Sequence, residues 1–172
     1  MRTNGNDNII LATADGMAIC FNENDVRPMG RDAAGVRGIQ LTGDDFVIGA
    51  EKAEEGTTLL TVTVNGFGKR TELVEYLRTG PDGEKIAQGR GGKGLKNYNI
   101  TAKTGRVAGC CLVSETDDVM LIENGGVIIR VPASSINIYK RDVQGVIIMR
   151  VEEGNQLMSV KRVAREEEET QE

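Results

Sequence analysis

The chain contains no histidine and no tryptophan, and aromatic residues make up only 3% of it. The first absence excludes histidine-based acid/base catalysis and histidine metal ligation. The shortage of aromatics argues against a base-stacking platform. Cysteine is scarce as well: Cys20, Cys110 and Cys111 are an odd number, and the adjacent pair would face opposite sides of a strand, which suits neither a disulfide framework nor a CxxC metal site. They read as buried, inert thiols in a reducing compartment. No run of 18 apolar residues occurs, and the opening MRTNGNDNII has no apolar stretch after a basic one, so neither a membrane helix nor a secretory leader is expected. The chain reads as cytoplasmic, with no membrane partner.

What is present is one domain's worth of chain. Its 172 residues suffice to bury roughly two thirds of the surface the unfolded form exposes. The formal charge of −5 is unevenly spread: residues 65 to 110 hold nine basic and four acidic side chains, whereas residues 1 to 64 hold five and ten. Residues 166 to 172 carry five carboxylates and no cation. That end reads as a solvated, disordered acidic tail, and the basic middle as the place to look for a polyanion site.

Three copies of one unit account for residues 1 to 165. The segments ILATADGMAICF, LTVTVNGFGKRT and MLIENGGVIIRV bring Asp15-Gly16, Asn65-Gly66 and Gly125-Gly126 into register, each a two-residue hairpin signal between apolar alternations. Fifteen residues after Gly16 and after Gly126 come Arg31 and Arg141, each opening an R-x-x-x-G element that ends at Gly35 or Gly145. The middle copy of that element is Arg90 to Gly94, displaced by nine extra residues around TGPDGEKIAQ, which have the composition of a surface loop. A second hairpin is expected in each copy, from GIQLTGDDFVIGA, YNITAKTGRVAGC and IIMRVEEGNQLMSV. Two hairpins per unit, with no helical period, predict an all-β array of three four-stranded, propeller-like blades at about 7–56, 57–116 and 117–165. An open set of three leaves unpaired strand edges, to be met by more chain, by capping segments, or by edge-to-edge pairing of copies.

The stretch QGRGGKG, residues 88 to 94, has a G-x-G-x-x-G spacing. A dinucleotide site needs a strand before the glycines and a helix after them; here a Pro81-Asp82-Gly83 loop precedes and a strand-like LKNYNIT follows. A Walker loop fails too, because Gly94 follows Gly92-Lys93 where Ser or Thr is required. The same chemistry suits a nucleic-acid backbone: glycines allow close approach and offer N–H donors, while cations neutralise phosphate. The candidate phosphate contacts are Arg31, Arg37, Lys69, Arg70, Arg90, Lys93, Lys96, Arg130, Lys140 and Arg141, with the backbone of Gly91, Gly92 and Gly94. Each single cation could equally belong to a solvated strand face; recurrence at register favours a rim that follows a polyanion. Asp44-Asp45 and Asp117-Asp118 read as turn formers whose side chains diverge, so no catalytic site is expected.

The strings DVRPMGRDAAGVRGI, VNGFGKRTELVEY, QGRGGKGLKNYNIT and GGVIIRVPASSI resemble later blades of the DNA gyrase A carboxy-terminal domain. The resemblance implies a β-pinwheel, in which blades exchange strands, and duplex DNA wrapped on a basic rim to support ATP-dependent negative supercoiling by the full topoisomerase. Arg90, Gly91, Gly92, Lys93 and Gly94 match the family's signature box, which normally lies in its first blade. The implied partners are double-stranded DNA, the gyrase B subunit, plus the rest of the gyrase A polypeptide; the implied cofactors, ATP and Mg, belong to those other parts and none to this chain. Cys20, where the family usually has a basic residue, and the nine-residue insertion are departures. Topoisomerase IV shares such blades, and a protein-docking propeller is the reading from a different class.

Overall fold

The computed structural model describes residues 1–164, so the acidic end expected at 166–172 lies outside the described residues. The strands run, in chain order, β1 (Asn8–Thr13), β2 (Met17–Asn22), β3 (Val47–Lys52), β4 (Thr58–Thr63) and β5 (Phe67–Glu72). Then come β6 (Arg78–Thr79), β7 (Lys85–Ile86), β8 (Leu95–Lys96) and β9 (Val107–Val113). The last are β10 (Asp117–Glu123), β11 (Ile128–Pro132), β12 (Val146–Ile147) and β13 (Leu157–Ala164). Three short 3-10 turns are the only helical elements among the described residues.

Each repeat opens with the hairpin the sequence announces. Gly16, Gly66 and Gly126 adopt φ of 79°, 79° and 93°, the left-handed region that glycine enters without steric cost. In the first two turns a threonine at the strand end braces the return: Thr13 Oγ1 accepts from Met17 N–H at 3.2 Å and Thr63 Oγ1 from Phe67 N–H at 3.3 Å.

The second hairpin of each repeat does not form. In the second and third repeats its two arms go to different blades. The sheets have the orders β3-β1-β2-β8, β9-β4-β5-β12 and β13-β10-β11, so the outer strand of the first sheet comes from the second repeat, and that of the second from the third. This is the strand exchange implied by the resemblance, in an all-β array of blades. Two blades are four-stranded as expected; the third has three strands among the described residues. The insertion also departs from expectation, since β6 and β7 form a small hairpin of their own.

The core lies between sheets. Leu59 and Leu60 are adjacent on β4 and both are fully buried, because strand neighbours point to opposite faces and the middle sheet is covered on both. Leu59 joins Ile10, Ala12, Ala18 and Leu112 on one side. Leu60 joins Val113, Val119, Leu121 and Leu157 on the other. Truncating either leucine to alanine costs about 2–5 kcal/mol.

Candidate nucleic-acid interface

The displaced glycine stretch is held between two blades by backbone and amide contacts. Gln88 N–H donates to the Cys20 carbonyl at 2.7 Å, and the Gln88 side-chain amide to the Tyr76 carbonyl at 2.8 Å. Gly91 N–H donates to the Gly38 carbonyl at 2.7 Å, and Gln40 N–H to that of Gly92 at 2.8 Å. Gly94, at φ 73°, turns the chain into β8 so closely that a Cβ there would stand 2.3 Å from the Ala18 carbonyl oxygen.

Beside this stretch runs a groove of about 680 Å³, lined by Arg78, Lys85, Lys93 and Arg141, by Gly89, Gly92 and Gly94, and by Glu75 and a few apolar groups. Among those lining residues Glu75 carries the one carboxylate. Four cations around a surface of small residues attract an anion, and glycine lets a phosphate approach the backbone.

The candidates named from sequence separate into three groups. Arg31, Arg37, Lys93, Lys96, Arg130 and Lys140 are exposed, although Arg130 is engaged by Asp118 through an Nε contact of 2.8 Å. Arg90 and Arg141 are half-buried and carry a structural duty. Arg141 Nη1 donates to the Lys96 carbonyl at 3.0 Å, and Arg90 Nη1 to the carbonyl of Arg37, the residue matching Lys96 one repeat earlier. At two of its three positions this arginine therefore braces the backbone, and the same bond sets Arg37 beside Arg90 and Lys96 beside Arg141.

Lys69 and Arg70 are inside the second blade. Lys69 is fully buried; its Nζ donates to Thr71 Oγ1 at 2.7 Å and to the Lys140 carbonyl at 3.2 Å and stands 5.5 Å from the Tyr98 ring centre. Burial pulls its pKa from the usual lysine range down to about 7, against the opposing pull of Asp142 and Glu75. Arg70 donates through Nε to the Ile136 carbonyl at 2.6 Å and through Nη1 to Glu115 at 2.7 Å. Both side chains are therefore internal fasteners, which removes them from the candidate phosphate contacts.

Arg78 and Lys85, at the two strands of the insertion hairpin, were not among the sequence candidates. The signal was present: both belong to the basic middle segment and flank the Pro81-Asp82-Gly83 turn. Of the paired carboxylates, Asp45 and Asp117 accept from turn N–H groups, whereas Asp118 lies buried on β10 against Arg130. Asp45 Oδ1 accepts from the N–H of Asp15 at 2.8 Å, Asp117 Oδ2 accepts from Ser114 N–H at 2.7 Å, and Asp44 meets Arg106 at 3.2 Å. The three thiols are free, and burial pushes Cys20 up to about 11 and Cys110 and Cys111 up to about 12. No helix among the described residues is long and apolar enough to cross a membrane.

Residues 7–54, 57–87, 83–110 and 117–164 match the family described as DNA gyrase C-terminal domain, beta-propeller. The DNA gyrase A protein of Aminobacterium colombiense is 36% identical over 165 residues, covering 96% of this chain and 19% of the relative. That of Staphylococcus epidermidis is 38% identical over 168 residues, covering 96% and 18%. The chain thus spans about a fifth of these relatives. A solved gyrase A C-terminal domain superposes with a TM-score of 0.81 at 26% identity, over 93% of this chain and 52% of the other. The C-terminal domain of topoisomerase IV has a TM-score of 0.82 at 24% identity, over 94% and 48%, a likeness of fold. With its register of turn glycines, its exchanged strands and a family match running through all three repeats, the chain belongs to the family of DNA gyrase A carboxy-terminal β-pinwheel domains.

Proposed function

We propose that this chain binds and wraps duplex DNA without reading its sequence, as a module of a bacterial type II topoisomerase of the gyrase kind. In that setting it supports negative supercoiling driven by ATP and Mg chemistry located in the gyrase B subunit, together with the rest of the gyrase A polypeptide. The observation that carries this reading is the groove in which Arg78, Lys85, Lys93 and Arg141 surround the glycine stretch, continued outward by the exposed Lys96 and Arg37. Cations along one track neutralise successive phosphates, and such contacts fix position without carrying base information.

Two measurements test it together. Neutralising about six phosphates makes the logarithm of affinity fall with the logarithm of salt at a slope of roughly −5. Ligation of nicked circular DNA in the presence of the chain shifts the linking number if the duplex is wrapped. A flat salt response defeats the binding claim; a steep response with an unchanged linking number leaves attachment and defeats wrapping.

A further inference from the structure

Among the described residues the third sheet lacks the outer strand that its two neighbours receive. In the first sheet Ala18 pairs with Leu95 and Met17 with Lys96; in the second, Gly68 pairs with Val146 and Phe67 with Ile147. The corresponding acceptors in the third sheet are Ile128 and Val127. They are 54% and 40% exposed, whereas their counterparts Ala18 and Phe67 are 0% and 7%.

A donor of the matching type is unused at the other pole. Gly35-Val36-Arg37 aligns with Gly94-Leu95-Lys96 and Gly145-Val146-Ile147, and among the described residues it pairs with no strand. Gly35 already has the φ of a docked donor, 82° against 73° and 66°. A Cβ on Gly94 or Gly145 would lie 2.3 or 2.4 Å from an acceptor carbonyl; on Gly35 it would meet nothing within 4 Å. The acceptor turns repeat the contrast: a Cβ on Gly16 or Gly66 would lie 2.8 or 2.0 Å from a donor-chain carbonyl, and on Gly126 it would meet nothing within 4 Å. The inner strand agrees as well. Val107 and Leu157, nearly or fully buried, donate N–H to the carbonyls of Ala14 and Val64 in the preceding blade; their counterpart Val47 is 41% exposed.

We propose that two copies of this chain pair head to tail, the Gly35–Ile39 segment of each completing the third sheet of the other. The register follows from the two junctions within the chain: Val36 opposite Ile128, Arg37 opposite Val127, and the N–H groups of Gly38 and Ile39 on the Gly126 carbonyl. The last contact copies Asn97 and Tyr98 on Gly16, and Ile148 and Met149 on Gly66. Unlike poles make a heterologous contact, which ends only if the rotation closes. Two copies together have about the length of the solved gyrase A domain, of which this chain covers 52%, and reciprocal pairing uses both donors and both acceptors.

Light scattering of the 172-residue chain, from micromolar to near-millimolar concentration, tests this. The expected result is a reversible species of twice 18.6 kDa. Val36→Pro removes a ladder donor and Ile128→Glu charges the acceptor; both sites are exposed, so each variant keeps the thermal unfolding of the dilute wild type while pairing weakens at least tenfold. Mixing the two variants restores one junction, because each retains the half the other lacks, and a mixed pair forms. A monomer at every concentration, an open series of larger assemblies, or pairing that survives both substitutions overturns the proposal. So does a monomer that nevertheless captures a peptide of residues 33–40, which assigns the edge to a strand from another polypeptide.

Discussion

The guanidinium of Arg141 donates to the main-chain carbonyl of Lys96 at 3.0 Å, so a cation thought to await phosphate also fastens one repeat to the strand delivered by the previous one. Arg90 likewise donates to the main-chain carbonyl of Arg37, whose segment pairs with no strand among the described residues. The pair separates bracing from binding, because Lys93 nearby is exposed and makes no such bond among the described residues.

Lys93→Ala is expected to leave thermal unfolding unchanged and to make the salt slope shallower by about 0.9, one phosphate contact. Arg141→Ala is expected to do both: the same change in slope, and a loss of stability of about 1.5–3 kcal/mol, the range for a hydrogen bond with a charged donor. Thermal melts and DNA titrations on one pair of variants read the difference.

The insertion hairpin contributes Arg78 and Lys85 to the groove proposed for DNA. Replacing both by alanine should reduce the salt slope by roughly 2 with little change in stability, since both side chains are exposed. An unchanged slope places the duplex on a face away from this groove.

Lys69 gives the fold a pH signature. Its folded pKa of about 7 is below the unfolded value, so between pH 7 and the ordinary lysine range of about 10.4 the unfolded state binds the extra proton. Stability therefore rises with pH there. Above about 9 the buried thiols, whose folded pKa values are raised, act in the opposite sense. Urea unfolding should show stability climbing from pH 6.5 to 8.5, and Lys69→Met should abolish the climb.

Glycine positions in the R-x-x-x-G element are unequal despite their common register. Gly94→Ala forces a left-handed backbone and a contact of 2.3 Å with the Ala18 carbonyl, a loss of about 3 kcal/mol. Gly35→Ala meets open space and should cost about 1 kcal/mol, the backbone term alone. Denaturant midpoints of dilute samples compare them.

The repeats, the turn glycines and the position of the glycine stretch were legible in the chain because each depends on local backbone angles. What pairs with what was not. Alternation says which face a residue takes and nothing about which strand lies beside it, so Leu95 read only as part of a strand-like LKNYNIT and Ile147 as an arm of a local hairpin, when each completes the sheet of the repeat before it. The same blindness put Lys69 and Arg70 on the rim: their repeat position is right, but the middle blade is covered on both faces and the side chains are enclosed. Recurrence of arginine was read as spacing for phosphate, whereas two of the three, Arg90 and Arg141, also brace a carbonyl.

Because the last strand of each of the first two blades arrives from residues further along, neither is finished when its own repeat leaves the ribosome. A nascent first unit waits for Leu95 and Lys96, and a second for Val146 and Ile147. Neighbours are thereby interlocked beyond what stacked repeats with independent stabilities would give, and the array should melt as one cooperative block, with no stepwise loss of units from its ends.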